Sequence, residues 1–377
     1  MHERQRLSVI VKNYLTPISE GHTNIARNII KALKSVYKDL KIVAIEPIIL
    51  RKLLPNNVKV CSMIPVRNKF LHDIFLKLRL YDVYTALKMK KYITDIDIIC
   101  FTNVPAYVYL LMLKPLISSS RKNIIAYLWY KSRNPLEVYL LRKLCTKVIV
   151  TSEFLKAFYL SKKLEHITCI PPPIDEYLFK PYNMYECRRY LGLDREAFLI
   201  GYIGEAITIR GFDILFKAFM KLPSSTKLVI ASTKFEHSML NILKEYVRRF
   251  RDRIIILKSM LYEEVPIFYN AVDIVVLPFR RPYEITEPPL VVIEALTCGR
   301  PLIVAPVGSI SEFVSEERAI LVKPGDVNDL KNAIEYLMDN EREKRKLGQN
   351  AREYAVKNFS LEVAGHKLKK IFEEIVK

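Results

Sequence analysis

Short runs of β-branched and other apolar residues recur along the whole chain. Each is followed by a stretch whose apolar positions return every three or four residues. The first half carries such runs at 7–11, 41–45, 98–101, 124–128 and 147–151. The second half carries them at 198–203, 227–231, 254–257, 273–277, 301–305 and 319–322. The runs are nearly continuous rather than alternating, the pattern of strands buried on both faces, and they predict parallel sheets covered by helices. In the first helix Ile25, Ile29, Ile30 and Leu33 fall on one face, and Gly21, His22 and Thr23 open it.

Three prolines, Pro171 to Pro173, interrupt this alternation, and none of them continues a helix or a central strand. They predict a linker between two doubly wound α/β domains, 1–171 and 172–358, with a ligand cleft between the carboxyl ends of the two sheets. From Asp326 the spacing is helical throughout: Leu330, Ile334 and Leu337, then Leu347, Ala351 and Ala355. Ser360 is placed to cap a last amphipathic helix that ends at Lys377.

Composition narrows the class. A chain of 377 residues is too long for one ordinary core, in keeping with two domains. Half of its residues are hydrophobic, 27% are charged and 10 are glycine, which excludes a disordered, collagen-like or low-complexity chain. No apolar run reaches the roughly 18–20 residues that cross a bilayer, and the stretch 7–11 is too short for a signal-peptide core. The expected location is therefore cytoplasmic. Cys61, Cys100, Cys145, Cys169, Cys187 and Cys298 lie far apart, as reduced core residues do and zinc ligands do not. His22, His72, His166, His237 and His366 are equally scattered and suggest no chemistry.

The net charge of +20 is uneven. Residues 1–180 hold 30 Lys+Arg against 13 Asp+Glu, whereas 181–377 hold 30 against 27. A basic half implies an anionic partner: nucleic acid, an anionic membrane surface or a phosphorylated substrate. Within 67–91, seven basic and two acidic residues interleave with Phe70, Leu71, Ile74, Phe75, Leu78 and Leu87. That composition suits a helix lying on an anionic membrane, and equally an ordinary surface helix packed into its domain. No recognised nucleic-acid motif accompanies the charge.

The second half also carries motifs in a fixed order. Ile170-Pro-Pro-Pro-Ile-Asp175 leads to Phe179-Lys-Pro181, and Arg189-Tyr-Leu-Gly-Leu193 leads to Ile200-Gly-Tyr-Ile-Gly204. Arg210-Gly-Phe-Asp213 with Ala218 and Phe219 follows, then 273–278, 290–295, 299–301 and Pro324-Gly-Asp326. Each is common alone. Their colinear order resembles the nucleotide-sugar glycosyltransferases of the GT-B fold, in particular glycosyltransferase family 4; the first half matches only in general layout.

The resemblance implies a GT-B architecture of two Rossmann-like domains, with the helix of 359–377 returning to the first. It implies a hexosyltransferase-type enzyme that transfers a sugar from a nucleotide-sugar donor to a sugar or lipid-linked acceptor, with retention and without a metal or other cofactor. Glu294, opening a helix, would accept hydrogen bonds from the donor's ribose hydroxyls. The N–H groups of Leu290 and Val291 would face the diphosphate, and Gly308 and Ser309 would line the same pocket. Arg210 would neutralise the departing nucleoside diphosphate, with Glu287 as its catalytic companion. Gly21 would let the first strand–helix turn approach the phosphate, or would serve as a simple turn glycine.

Three departures from the family pattern stand out. Glu205 occupies the position of an arginine and would repel a diphosphate. Thr286 stands where the family has a glutamate, with Glu284 and Glu287 nearby and Pro288 removing a donor. The segment Tyr127-Leu-Trp-Tyr130 lacks the family's histidine. They point either to a loop rebuilt around Arg280, Arg281 and Glu287, or to a non-catalytic protein that binds nucleotide-sugars or glycans. A basic nucleic-acid-binding protein is the third expectation in play, although nucleic acid is not the expected partner. An anionic membrane surface at the inner face of the membrane is a candidate partner for the basic half.

Overall fold

The computed structural model describes residues 7–12, 21–37, 41–47, 58–63, 98–102 and 123–376, except 233, 238–239, 241–242, 244–247, 249–251, 258–259 and 283–286. The basic segment 67–91 lies outside these residues. Two compact units are present: among the described residues the first holds 7–12, 22–173 and 361–376, and the second holds Gly21 and 174–360.

The first unit runs β1 (Leu7–Lys12), α1 (Gly21–Val36), β2 (Lys41–Pro47), β3 (Val58–Met63), β4 (Ile98–Thr102) and β5 (Asn123–Leu128). It continues with α2 (Pro135–Leu144), β6 (Lys147–Val150), α3 (Glu153–Ser161) and β7 (Ile167–Cys169). Its seven strands are all parallel, in the order β3-β2-β1-β4-β5-β6-β7. Ile124 to Leu128 of β5 are buried on both faces, which is why that run is continuously apolar. Local chemistry sets the helix starts. The Asn134 side chain accepts from the Leu136 N–H ahead of Pro135, and the Ser152 hydroxyl accepts from the Leu155 N–H.

The second unit begins with α4 (Met184–Leu191), β8 (Phe198–Ile203), a 3-10 turn (Thr208–Arg210), α5 (Phe212–Phe219), β9 (Thr226–Ala231) and β10 (Ile254–Leu257). Then come α6 (Val265–Ala271), β11 (Ile274–Leu277), α7 (Leu290–Thr297), β12 (Leu302–Val304), α8 (Ile310–Phe313) and β13 (Ile320–Leu321). Two longer helices, α9 (Val327–Asp339) and α10 (Glu341–Phe359), close it. Its parallel order is β10-β9-β8-β11-β12-β13. Alternate residues of the same strands feed two cores. Leu199, Val229, Val275 and Leu302 join Phe268, Val292 and Ala351 on one face, while Ile200, Leu228, Ile274 and Ile303 join Phe212, Phe216, Leu330 and Ile334 on the other.

Two arginines stitch the periphery of this unit. Arg188 donates to the carbonyls of Ala271, Arg195 and Ala197 and to the Asp273 carboxylate, which also accepts the Leu199 N–H. Arg352 of α10 donates to the carbonyls of Phe179, Thr297 and Glu176, so one cation ties the entry of the unit to the C-terminal end of α7. The last helix, α11 (Leu361–Val376), belongs to the first unit, where Phe372 stacks on Tyr37 at 6.2 Å just beyond α1.

The division falls after Pro173 and again after Ser360, two residues from the expected boundaries in each case. Ile170 and Pro171 offer their carbonyls to the Tyr127 hydroxyl, and the Asn28 amide donates to the Pro173 carbonyl. The triproline is thereby kept in the first unit. Ile174 instead bridges to Ser360 and donates to the Phe359 carbonyl. Two strands, β3 and β7, were not foreseen from the sequence: Lys59 and Ser62 break the apolar run of β3, and β7 is three residues long.

Candidate functional site

In the second sheet the strand order reverses between β8 and β11, the switch point outside whose carboxyl ends doubly wound sheets bind their ligands. β8 leads into Gly204, whose φ is +121°; a Cβ there would come within 2.7 Å of an Arg210 guanidinium nitrogen. Arg210 therefore rests on bare backbone at the strand end. Gly211 follows with φ +73°, and a Cβ on it would lie 1.8 Å from the Pro278 carbonyl oxygen. Only glycine lets the turn press this closely on the chain leaving β11. Thr208 fixes the same turn, donating its N–H and its hydroxyl to the Glu236 carboxylate, both at 2.7 Å.

Glu205, expected to repel a diphosphate, is ion-paired in the structure. Its carboxylate lies between two cations, 3.8 Å from Arg210 Nη2 and 3.2 Å from Lys234 Nζ. Lys234 comes from the connection after β9, which the local sequence around Glu205 does not reveal.

On the β11 side, Arg280 pairs bidentately with Asp213 of α5 and donates its N–H to the Ile209 carbonyl. It thus holds α5 against the strand end, and Arg281 is exposed; residues 283–286 of the loop between them and Glu287 lie outside the described residues. Glu287 is buried, and its Oε2 accepts from the Ser309 N–H at 3.2 Å and from the Ser309 hydroxyl. Gly308, φ +59°, would place a Cβ 3.1 Å from Glu287 Oε1. Glu287, Gly308 and Ser309 therefore form one wall, while Glu284 and Thr286 lie outside the described residues.

Leu290 and Val291 form the first turn of α7, where N–H groups have no acceptor within the helix. Glu294 does not open this helix as expected; it sits one turn in, 3% exposed, among apolar neighbours. Its Oε2 accepts from the Tyr269 hydroxyl at 2.8 Å, a proton that also approaches the Val291 carbonyl at 3.2 Å. Burial pushes the Glu294 carboxyl up to about 7, against a smaller lowering by the Tyr269 hydrogen bond. Burial, followed by the Glu294 charge, pushes the Tyr269 phenol well above its ordinary range. Tyr269 had no signal in the sequence, because it reaches Glu294 from α6 across a tertiary contact.

Gly21 is the first residue of α1. The segment expected to lack a histidine ends β5: Trp129 is buried, and Tyr130 donates to the Glu137 carboxylate, which also accepts from the Ser132 hydroxyl. Among the described residues, no group of three His, Cys, Asp or Glu side chains could hold a metal ion, and no helix is long and apolar enough to cross a membrane.

Residues 185–354, the core of the second unit, match the family described as Glycosyl transferases group 1. The α-D-kanosaminyltransferase of Streptomyces kanamyceticus is 28% identical over 194 residues, 50% of this chain and 49% of that protein. The lipopolysaccharide core biosynthesis mannosyltransferase LpsB of Rhizobium meliloti is 25% identical over 222 residues, covering 56% and 61%. The chain spans about half the length of the curated relatives it matches. Among solved structures, HepE of Anabaena in complex with UDP and glucose superposes with a TM-score of 0.74 at 17% identity, covering 98% of this chain and 100% of that one. The sucrose-phosphate synthase of Thermosynechococcus elongatus gives 0.76 at 19% identity, covering 98% and 99%. These likenesses carry the fold.

Proposed function

We propose that this protein transfers a hexose from a nucleotide-sugar donor to a sugar or lipid-linked acceptor, since residues 185–354 match the Glycosyl transferases group 1 family and the chain has the GT-B fold. The observation that carries the reading is the arrangement at the carboxyl ends of β8 and β11. One arginine lies on bare backbone, the Glu287–Ser309 wall stands beside the open first turn of α7, and a buried carboxyl lies one turn further in.

In this reading the ionised Glu294 accepts hydrogen bonds from two vicinal ribose hydroxyls, and Tyr269 fixes its orientation. The N–H groups of Leu290 and Val291 face the diphosphate. Arg210 neutralises the charge that grows on the leaving phosphate oxygen as the anomeric carbon–oxygen bond breaks. The acceptor oxygen bonds to that carbon on the same face, and its proton passes to the departing diphosphate, which gives retention without a resident metal. Glu287, held by Ser309, borders the sugar.

A lipid-linked acceptor at the inner face of an anionic membrane is the finer part of the proposal. Its support is the excess of 30 basic over 13 acidic residues in 1–180, together with the lipopolysaccharide named for one relative. The test is turnover of a panel of nucleotide-sugars with soluble sugars and with anionic-lipid extracts, the product's anomeric configuration being read by NMR. An inverted product would overturn retention. Transfer to soluble sugars alone would overturn the lipid acceptor, and no transfer under any condition would overturn the enzyme.

A further inference from the structure

Residues 131–163 run from the end of β5 to just past α3 and hold eight Lys+Arg against two Asp+Glu. β5, β6 and β7 are consecutive neighbours in a parallel sheet, so right-handed crossovers place α2 and α3 on the same face of it. The connection ahead of α2 is tied to α3: the Tyr159 hydroxyl donates to the Tyr130 carbonyl at 2.9 Å and accepts from the Ser132 N–H at 3.1 Å. Among the described residues of the first unit, the exposed large apolar side chains are Leu136, Tyr139 and Leu160, at 44%, 48% and 45%, and all three stand on these two helices. Leu136, Tyr139 and Lys143 recur at helical spacing along α2, with Arg142 beside them, on the side away from the buried Leu141.

Cations are seated among these apolar groups. The Lys131 ammonium lies 3.8 Å from the Phe154 ring centroid and 5.6 Å from that of Phe158, and the Arg142 guanidinium lies 5.9 Å from that of Tyr139. An aromatic ring holds a cation without cancelling its charge. The two carboxylates of the segment are engaged: Glu137 is buried and accepts from the Tyr130 and Ser132 hydroxyls, and Glu153 pairs with Lys156 at 3.0 Å. A nucleic acid would match the charge and leave Leu136 and Leu160 with no apolar partner. An anionic bilayer answers both, its phosphates meeting the cations and its acyl boundary taking the leucines and Tyr139. Resting on the lipid-acceptor reading above, we propose that the exposed face of α2 and α3 is the surface by which this protein lies on an anionic membrane. Both helices start at the carboxyl ends of their strands, the end at which doubly wound sheets bind ligands, so a lipid-linked acceptor in the bilayer would be presented to that end.

The test is co-sedimentation of the full chain with phosphatidylcholine vesicles and with mixed phosphatidylcholine–phosphatidylglycerol vesicles. The variants are Leu136→Ser/Tyr139→Ser, Arg142→Gln/Lys143→Gln, the charge-keeping Arg142→Lys/Lys143→Arg, and Lys88→Gln/Lys90→Gln/Lys91→Gln in the segment 67–91. Expected is binding to the anionic vesicles and not to the neutral ones. Arg142→Gln/Lys143→Gln should weaken it by about tenfold or more at low salt, and Leu136→Ser/Tyr139→Ser by about tenfold at low and high salt alike. The charge-keeping pair should bind like the unaltered protein. Equal binding to both vesicle types, or to neither, would overturn the proposal, as would binding of a single-stranded RNA in place of vesicles. Loss of vesicle binding in the Lys88/Lys90/Lys91 variant alone would also overturn it, since the contact would then lie in 67–91. Transfer to lipid extracts, assayed alongside, separates the two readings. Vesicle binding through α2 and α3 without lipid transfer supports the surface and overturns the lipid acceptor. Lipid transfer with vesicle binding untouched in both α2 variants overturns the surface alone.

Discussion

Replacing Glu294 by glutamine isolates the carboxyl raised furthest among the described residues. Its value of about 7, against an ordinary 4.5, means that the folded protein keeps this proton over a pH range in which the unfolded chain has lost it. Stability therefore falls as pH rises from about 4.5 to about 7 and levels off above, the reverse of an ion-paired carboxylate. At 1.36 kcal/mol per pH unit the loss amounts to about 3 kcal/mol. Glutamine keeps an acceptor for the Tyr269 hydroxyl and never ionises. Glu294→Gln should match the unaltered protein near pH 5 and exceed it by about 3 kcal/mol near pH 8, read by urea denaturation across that range. The same charge is needed for ribose hydroxyls, so the ratio of nucleotide affinities, unaltered over variant, should rise up to about pH 7; taking the ratio cancels the ligand's own titration. A stability difference that stays constant with pH would refute the buried-carboxyl reasoning.

Arg210→Ala should lower turnover by about 10²–10³ with little change in the urea midpoint, because its contribution grows with leaving-group charge; an unfolded variant with normal activity per folded molecule would make Arg210 structural. Gly211→Ala should cost about 3 kcal/mol or more, since its Cβ collides with the Pro278 carbonyl at a positive φ. Thermal denaturation reads this directly, and a midpoint like that of the unaltered protein would contradict the close approach. Arg352→Met should cost about 2–4 kcal/mol by removing the donor to three backbone carbonyls, while nucleotide affinity of the folded fraction stays unchanged. Loss of affinity without loss of stability would place Arg352 in the site instead.

The parts legible in the sequence are those fixed by burial along one strand or turn. β5, β8 and β11 read as strands because both of their faces are covered, and Gly204, Arg210 and Gly211 stood out only through the colinear motifs that carry the family resemblance. β7 was missed because three residues leave no periodicity to count. The pairing of Glu205 with Lys234 was not legible because the lysine lies 29 residues away on a neighbouring connection. The pairing of Arg280 with Asp213 was not legible because the two are 67 residues apart. In each case a charge was visible in the sequence and its neutralising partner was not.

The central claim is that the carboxyl ends of β8 and β11 bind a nucleotide-sugar, and thermal stabilisation of the full chain by a panel of nucleotide-sugars tests it most directly. A ligand at about a hundred times its Kd stabilises the folded state by about 2.7 kcal/mol, a clear rise in midpoint. The expected result is stabilisation by at least one donor, reduced roughly tenfold in apparent affinity by Glu294→Ala and by Arg210→Ala. Stabilisation undiminished in both variants, or produced by no nucleotide-sugar at all, would contradict the claim.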